Sequence, residues 1–336
     1  MAALLPLFAC GGQSGSPSAP SPAPASSPSG SPAGSSSIGL EGRAVDSLTS
    51  LPQAALSIRV EDGSGGTTAS DGTFSISTSA GQHAVTLSGQ AIVERQTTLR
   101  APASGVVVSL IPATFNLSAF NEMCRSGEAG LQRWDAAPGL VVIDAVLEFA
   151  SATDASYTAT AERLSGADRD GLVADLAWGL SELSGGNFGG FRTVSTESPA
   201  AGTSVSFFAR EGSIVVARFR GLRASTGSMG FGRWATRSSQ VVAGAVLLDR
   251  DTDAAAGSLR RALRAHELGH ALGWGHVTAQ TSAMNPVVGA EPNAFDRDAS
   301  RLAFLRPPGN TTPDRDPVAY SVNMQAFPMV WGAITP

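Results

Sequence analysis

The stretch His266-Glu267-Leu268-Gly269-His270-Ala271-Leu272-Gly273-Trp274-Gly275-His276 decides how the rest of the chain reads. On a helix, His266 and His270 lie about 40° apart, so both imidazoles leave from one face. That spacing suits a metal ion. Glu267 follows the first histidine and points elsewhere, beside a metal rather than onto it. Gly273 can take the positive φ that ends a helix, and the turn it permits can bring His276 back as a third ligand. Three neutral nitrogens leave one position of a tetrahedral Zn2+ open to water, which separates catalytic from structural sites. A glutamate beside that water is placed to act as its general base. The chain has four histidines, and three of them fall in this stretch; histidines scattered for packing would not cluster so.

The pattern His-Glu-x-x-His-x-x-Gly-x-x-His resembles the zinc signature of the metzincin metallopeptidases. That family also carries a methionine turn beneath the metal, and Ser282-Ala283-Met284-Asn285-Pro286 follows His276 after a short loop. The wording His-Glu-Leu-Gly-His-Ala-Leu-Gly, with Met-x-Pro after it, is most similar to the matrixin branch. The resemblance is firm over residues 266–286 and loose elsewhere. It implies a zinc endopeptidase in which His266, His270 and His276 hold one Zn2+ and Glu267 activates the zinc-bound water. Met284 would form an apolar floor and not a ligand. The resemblance also makes residues 285–290 the wall of the pocket for the substrate residue just past the scissile bond. Pro286, Val287 and Val288 bring no charge there, so medium apolar residues such as leucine are expected to fit.

Working outward, Leu259, Ala262 and Leu263 share the histidine stripe and set the motif helix into a core. Leu172, Val173, Leu176, Leu180 and Leu183 recur at helical spacing and predict a second amphipathic helix over 162–184. Strands are expected at 140–144, 190–196, 204–210, 213–220 and 240–248. The near-continuous apolar run 241–248 reads as a central strand buried on both faces. The segment 229–236 reads as the edge strand bordering the cleft, where extended substrate would pair. Residues 113–134 look helical. The expected architecture is α+β or α/β and multidomain: a small N-terminal β-sandwich, then a metzincin-type catalytic domain at 113–306. That domain would have a twisted mixed sheet, a backing helix, the active-site helix and the methionine turn.

The sandwich is read from residues 38–112, where Leu56-Ser57-Ile58-Arg59-Val60 and Phe74-Ser75-Ile76-Ser77-Thr78 alternate. Ser70-Asp71-Gly72-Thr73 is a tight-turn signal, and evenly spaced strands suggest a sandwich. The order Gly-Arg-Ala-Val-Asp followed by Ala-Ser-Asp-Gly-Thr-Phe-Ser-Ile resembles the carboxypeptidase regulatory-like, transthyretin-like modules of secreted proteins. Such a module is expected to fold alone. His83 within it reads as a surface residue. Residues 307–336, with six prolines, read as a coil extension.

Residues 11–37 are almost entirely Ser, Pro, Ala and Gly, a composition that cannot bury enough apolar surface to offset chain entropy and reads as a disordered linker. Before it, Leu4-Leu5-Pro6-Leu7-Phe8-Ala9-Cys10 resembles a bacterial lipobox, which makes 1–10 a lipoprotein-type signal and Cys10 a lipidation site. Protein or peptide substrates, a membrane anchor through Cys10 and an extracytoplasmic location in the cell envelope or medium are implied by these resemblances. The net charge is −5 and no basic stripe exists, so nucleic acid has no electrostatic footprint here.

Other chemistry-bearing residues carry blander readings. Asp249, Asp251 and Asp253 alternate like the start of a calcium loop, but the glycine and distal glutamate of an EF-hand are missing. Acids near a helix N-terminus account for them, so Ca2+ is unsupported. Asp296 and Asp298 follow the methionine turn; the resemblance gives an aspartate near this place a structural role under the site. Cys124 lacks the Pro-Arg-Cys-Gly wording of matrixin propeptides and reads as a buried free cysteine. The rival to a peptidase is a surface-anchored binding or adhesion protein with a structural zinc or an inactive peptidase domain. Glu267 argues against it, because a structural site has no use for a base.

Overall fold

The computed structural model describes residues 38–125, 130–151, 153–207, 210–318 and the backbone of 330–333. Cys10 and the 11–37 linker lie outside the described residues. The architecture is α+β with several sheets and few helices.

Seven strands build the N-terminal sandwich: β1 (Ile38–Asp46), β2 (Ser57–Val60), β3 (Gly65–Thr67), β4 (Thr73–Thr78), β5 (Gly81–Ser88), β6 (Arg95–Ala101) and β7 (Ala103–Leu110). One sheet has the order β4-β1-β7 and the other β3-β2-β5-β6. The period-2 alternation places Ile58, Val60, Phe74, Ile76, Val85 and Leu87 between them, while their neighbours face water. His83 departs from its expected surface position. It is buried on β5, with Nε2 2.9 Å from the Ser79 carbonyl oxygen. β6 was not legible, since Arg-Gln-Thr-Thr-Leu-Arg-Ala shows little alternation.

After α1 (Leu117–Cys124) comes the larger sheet, made of β8 (Gly139–Glu148), β9 (Ser156–Arg163), β10 (Val194–Glu197), β11 (Ser204–Ser206), β12 (Ser213–Arg220), β13 (Gly230–Arg237), β14 (Gln240–Asp249) and β15 (Val330–Ala333). Helices α2 (Gly166–Leu183), α3 (Leu222–Thr226), α4 (Gly257–Leu272) and α5 (Ala294–Phe304) complete the fold. The sheet order is β11-β9-β8-β12-β14-β13-β15, with β10 added on β8. β8, β12 and β14 run parallel, whereas β13 is antiparallel to both its neighbours. β14 is buried along almost its whole length, as its unbroken apolar run requires.

The helices obey their stripes. Leu172, Leu176, Leu180 and Leu183 of α2 are fully buried, and α2 packs on α4 so closely that a β-carbon on Gly179 would sit 3.2 Å from the Ala265 Cα. α2 begins at 166 and not 162, because Ser156–Arg163 is spent on β9 and Ser165 caps the helix by accepting from the Asp168 N–H. Among the described residues of 113–134, α1 is the helical part; Leu131 and Trp134 are buried outside it.

The described residues within 307–336, a segment expected as coil, are tied into the body. Arg306, Asn310, Asp314 and Asp316 form a buried network with Arg95 of β6 and Arg125 after α1. The backbone of Val330–Ala333 extends the large sheet. Arg95 and Ser109, before residue 112, thus bond to Asp314, Asp316 and Arg306, after it.

Candidate metal centre

α4 lies between α2 and the strands β13 and β14, so everything from Ala262 to Leu272 is buried, His266, Glu267 and His270 included. The approach of helix to sheet depends on Gly232. A β-carbon there would overlap the Glu267 carbonyl and the His270 side chain. The helix ends where its glycine indicated. Gly273 has φ +102°, and the Trp274 N–H donates to the Gly269 carbonyl (3.0 Å). Trp274 then anchors the turn, fully buried with its indole N–H on the Leu183 carbonyl at 2.8 Å.

This turn brings His276 to the other two imidazoles. The ligand nitrogens of His266, His270 and His276 lie within 4.8 Å of one another, and the rings of His270 and His276 are centred 4.8 Å apart. Among the described residues, this is the cluster of histidine, cysteine or acidic side chains that could hold a metal ion.

Hydrogen bonds fix the tautomers. His266 Nδ1 lies 2.8 Å from the Ala283 carbonyl oxygen, and His270 Nδ1 lies 2.7 Å from that of Trp274. A carbonyl only accepts, so each Nδ1 carries the proton. Burial pushes the pKa of His266 down to about 4 and that of His270 well below the ordinary imidazole value, so both rings are neutral. Both Nε2 atoms are then bare acceptors, and they face each other at 3.1 Å. Two lone pairs at that distance repel unless a cation lies between them. The donor set therefore fits a metal ion.

Glu267 is buried beside the triad, and loss of solvent raises its pKa to about 8, opposed by a hydrogen bond from the Gly232 N–H. It lines one cavity of about 340 Å³ together with all three histidines, Met229, Gly230, Leu263, Pro286, Val287 and Val288. A larger depression of about 650 Å³ lies on the sandwich between Glu41, Arg43, Phe74 and Val107. It gathers no such convergence of titratable groups, so the chemistry belongs to the smaller one.

Below the histidines, Met284 is fully buried against Gly269. Its turn is held by Asp296, also fully buried, whose carboxylate accepts from the Ser282 hydroxyl and from the N–H groups of Ala283 (3.0 Å) and Asn293 (2.8 Å). Since the Ala283 carbonyl receives His266 Nδ1, Asp296 orients a ligand through one intervening residue. Asp298 is remote from this; its nearest charge is Arg301 at 3.8 Å.

The contacts that hold the His276 loop had no counterpart in the sequence reading. Gly275 donates to the Met123 carbonyl (2.7 Å), and the Glu122 carboxylate accepts from the N–H groups of Thr278 (2.6 Å) and Ala279 (3.0 Å). Asn285 ties the same loop to the methionine turn through the Val277 and Gln280 carbonyls. Glu122 and Thr278 are far apart in the chain, so no spacing pattern joins them; the only local signal was the single acidic residue of α1. Partners that orient ligands typically contribute 10- to 100-fold in metal affinity. Glu122→Ala should accordingly weaken metal binding by about 10-fold, whereas Glu267→Ala should leave it unchanged; competition with a chromogenic chelator measures both.

Other candidates stay apart from the site. Asp249 caps the turn after β14, and Asp253 pairs with Arg218 (2.7 Å) and Arg264 (3.0 Å). Cys124 is a buried free cysteine whose pKa burial raises far above the thiol range, and its Sγ lies 4.0 Å from the Ala299 carbonyl oxygen, inside the core and away from the histidines. No family model matches this chain, and no curated protein matches it.

Proposed function

We propose that the protein is a zinc-dependent endopeptidase of metzincin type. The observation that carries the reading is a buried carboxyl group, Glu267, in one cavity with three histidines whose ligand nitrogens converge. Nitrogens bound at about 2.05 Å and subtending a tetrahedral angle stand about 3.3 Å apart, close to the 3.1 Å between His266 and His270. Three nitrogen donors and no thiolate suit Zn2+ in a site that keeps one position open.

Bound there, Zn2+ would polarise a peptide carbonyl and make a water acidic near neutral pH. Glu267 supplies the base. Its pKa of about 8 belongs to the site without a cation; a neighbouring dication favours the carboxylate and opposes that shift. The carboxylate takes the proton from the attacking water and hands it to the departing amine nitrogen. Gly230–Gly232 of β13 border the histidines, and among the described residues no strand pairs with them on the side away from β14, which is where an extended peptide would join. Leu263, Pro286, Val287 and Val288 give the cavity an uncharged wall, where an apolar substrate side chain loses nothing and a charged one loses hydration without a partner. Purified protein should degrade unfolded casein, lose that activity to a zinc chelator and regain it with Zn2+. Casein left intact with zinc bound would refute the proposal.

The pH dependence of zinc uptake is set by the imidazoles. His266, His270 and His276 all have pKa values lowered by burial. Protons therefore begin to compete with the metal only below the ordinary value of about 6.5. Zinc affinity should stay level as pH falls from 8 through about 6.5 and decline only in more acidic buffer. An affinity already dropping tenfold per step between pH 8 and about 6.5 would show that the imidazoles are not neutral in the folded protein.

A further inference from the structure

Pro286, Val287 and Val288, which line the histidine cavity, belong to an irregular segment between the methionine turn and α5. Both ends of that segment are tied. The Asn285 amide donates to the Val277 and Gln280 carbonyls (2.6 and 2.9 Å), and the Asn293 amide donates to the Thr281 carbonyl (2.9 Å). A third tie lies between them. One carboxylate oxygen of Glu291 accepts from Nε (2.9 Å) and Nη2 (2.5 Å) of Arg261 on α4. The same guanidinium lies over the Trp178 ring of α2, 4.5 Å from its centroid. Arginine can do both at once, because its face stacks while its edge donates. The indole holds the guanidinium, and the guanidinium holds the segment.

We propose that Arg261, stacked on Trp178 and paired with Glu291, is a positioning residue that sets the spacing between the Pro286–Val288 wall and Leu263, and thereby the size of apolar substrate residue accepted just past the scissile bond. The proposal rests on the peptidase reading. Leu263 lines the same cavity and follows Arg261 closely on α4. On the other side of the tie, Gly289 and Ala290 alone separate Val288 from Glu291, and their side chains are too small to brace the wall. The clamp therefore joins the two surfaces between which the substrate side chain sits. Val288 also packs against the core, so loss of the clamp should widen the cavity without opening it. The side chains of Arg261 and Glu291 are 42% and 36% exposed, and water weakens a pair so placed. The effect is a graded shift toward larger residues.

Two peptides that differ only in leucine or phenylalanine just past the scissile bond test this with the zinc-loaded full chain. Glu291→Ala should raise the phenylalanine-to-leucine ratio of kcat/KM by about 2- to 5-fold. Arg261→Ala, which also loses the stack on Trp178, should raise it by up to about 10-fold. The shift should fall on KM more than on kcat. The double variant should go no further than Arg261→Ala, because Glu291 then has no partner left to lose. Zinc affinity should match the native chain in all three, a readout that a general loosening of α4 would move. An unchanged ratio in both single variants, shifts that multiply in the double variant, or weakened zinc binding would overturn the proposal while leaving the peptidase reading intact. No turnover of either peptide by the native zinc-loaded protein would overturn both.

Discussion

Glu267→Gln should bind zinc as tightly as the native chain and lose peptide hydrolysis by about 10³-fold or more. Glu267 is not among the side chains whose nitrogens converge, so its replacement removes no ligand. It is buried within the same cavity as all three histidines, so it is the carboxylate available to move a proton there. General acid–base groups contribute about 10²- to 10⁴-fold, and this one serves both proton transfers. Glutamine keeps the shape and fits the same space, which separates loss of the base from loss of packing. Zinc stoichiometry and kcat/KM measured on one preparation decide the matter. Turnover within about 10-fold of native would place the base elsewhere. Lost zinc would show that Glu267 shapes the metal centre.

The second large effect concerns stability. Asp314→Ala should destabilise the protein by about 3–5 kcal/mol, because it leaves buried guanidinium groups without their anion. Asp314 is fully buried and receives Arg306 through Nε (2.7 Å) and Nη2 (2.8 Å), and Arg95 at 3.0 Å. Arg125 lies 3.4 Å away. Arg306 is itself 1% exposed and also donates to the Ser109 hydroxyl of β7. Burial alone would raise the pKa of Asp314, but Arg306, Arg95 and Arg125 outweigh it and hold the carboxyl below its usual range. A depressed carboxyl stabilises the fold above its unfolded pKa of about 3.9, and that contribution fades as pH falls through the folded value. Native protein should thus weaken in strong acid, and Asp314→Ala should be weak already at neutral pH. Thermal unfolding at both pH values would show it as a midpoint roughly 10 °C lower at neutral pH, a gap that narrows in acid. An unchanged midpoint would mean that water reaches these arginines freely.

The same network bears on how the chain divides. Arg95 and Ser109 belong to the sandwich, whereas Arg125, Arg306 and Asp314 belong to the larger body and its tail. A chain cut at 112 exposes Ile111, which packs in the core of the larger body, and strips the tail of partners. The sandwich was legible from alternation in β2 and β4, but its attachment was not, because an arginine in a strand reads as solvent-facing until an aspartate far along the chain is folded against it.

The metal site was legible for the opposite reason. His266, Glu267, His270, Gly273 and His276 sit within one helix and its ending turn, where helical period and a glycine's allowed φ translate spacing directly into geometry. Met284 and Asp296 lie a short loop away. Spacing could not reveal contacts made between distant segments: Glu122 under the His276 loop, Gly232 against α4, and β15 on the edge of β13. β9 stays hidden in the sequence because Ser-Tyr-Thr-Ala-Thr-Ala-Glu-Arg buries only Tyr157 and Ala159, too little apolar contrast to stand out from a helix start.

Metal-free protein titrated with Zn2+ while it hydrolyses a quenched fluorescent peptide puts the metal and the base to the proof together. Activity should rise in proportion to added metal, stop rising at one equivalent, and be absent throughout in Glu267→Gln. Tight binding of one equivalent with no hydrolysis at any point of the titration would contradict the peptidase proposal, and would make the three histidines a structural centre.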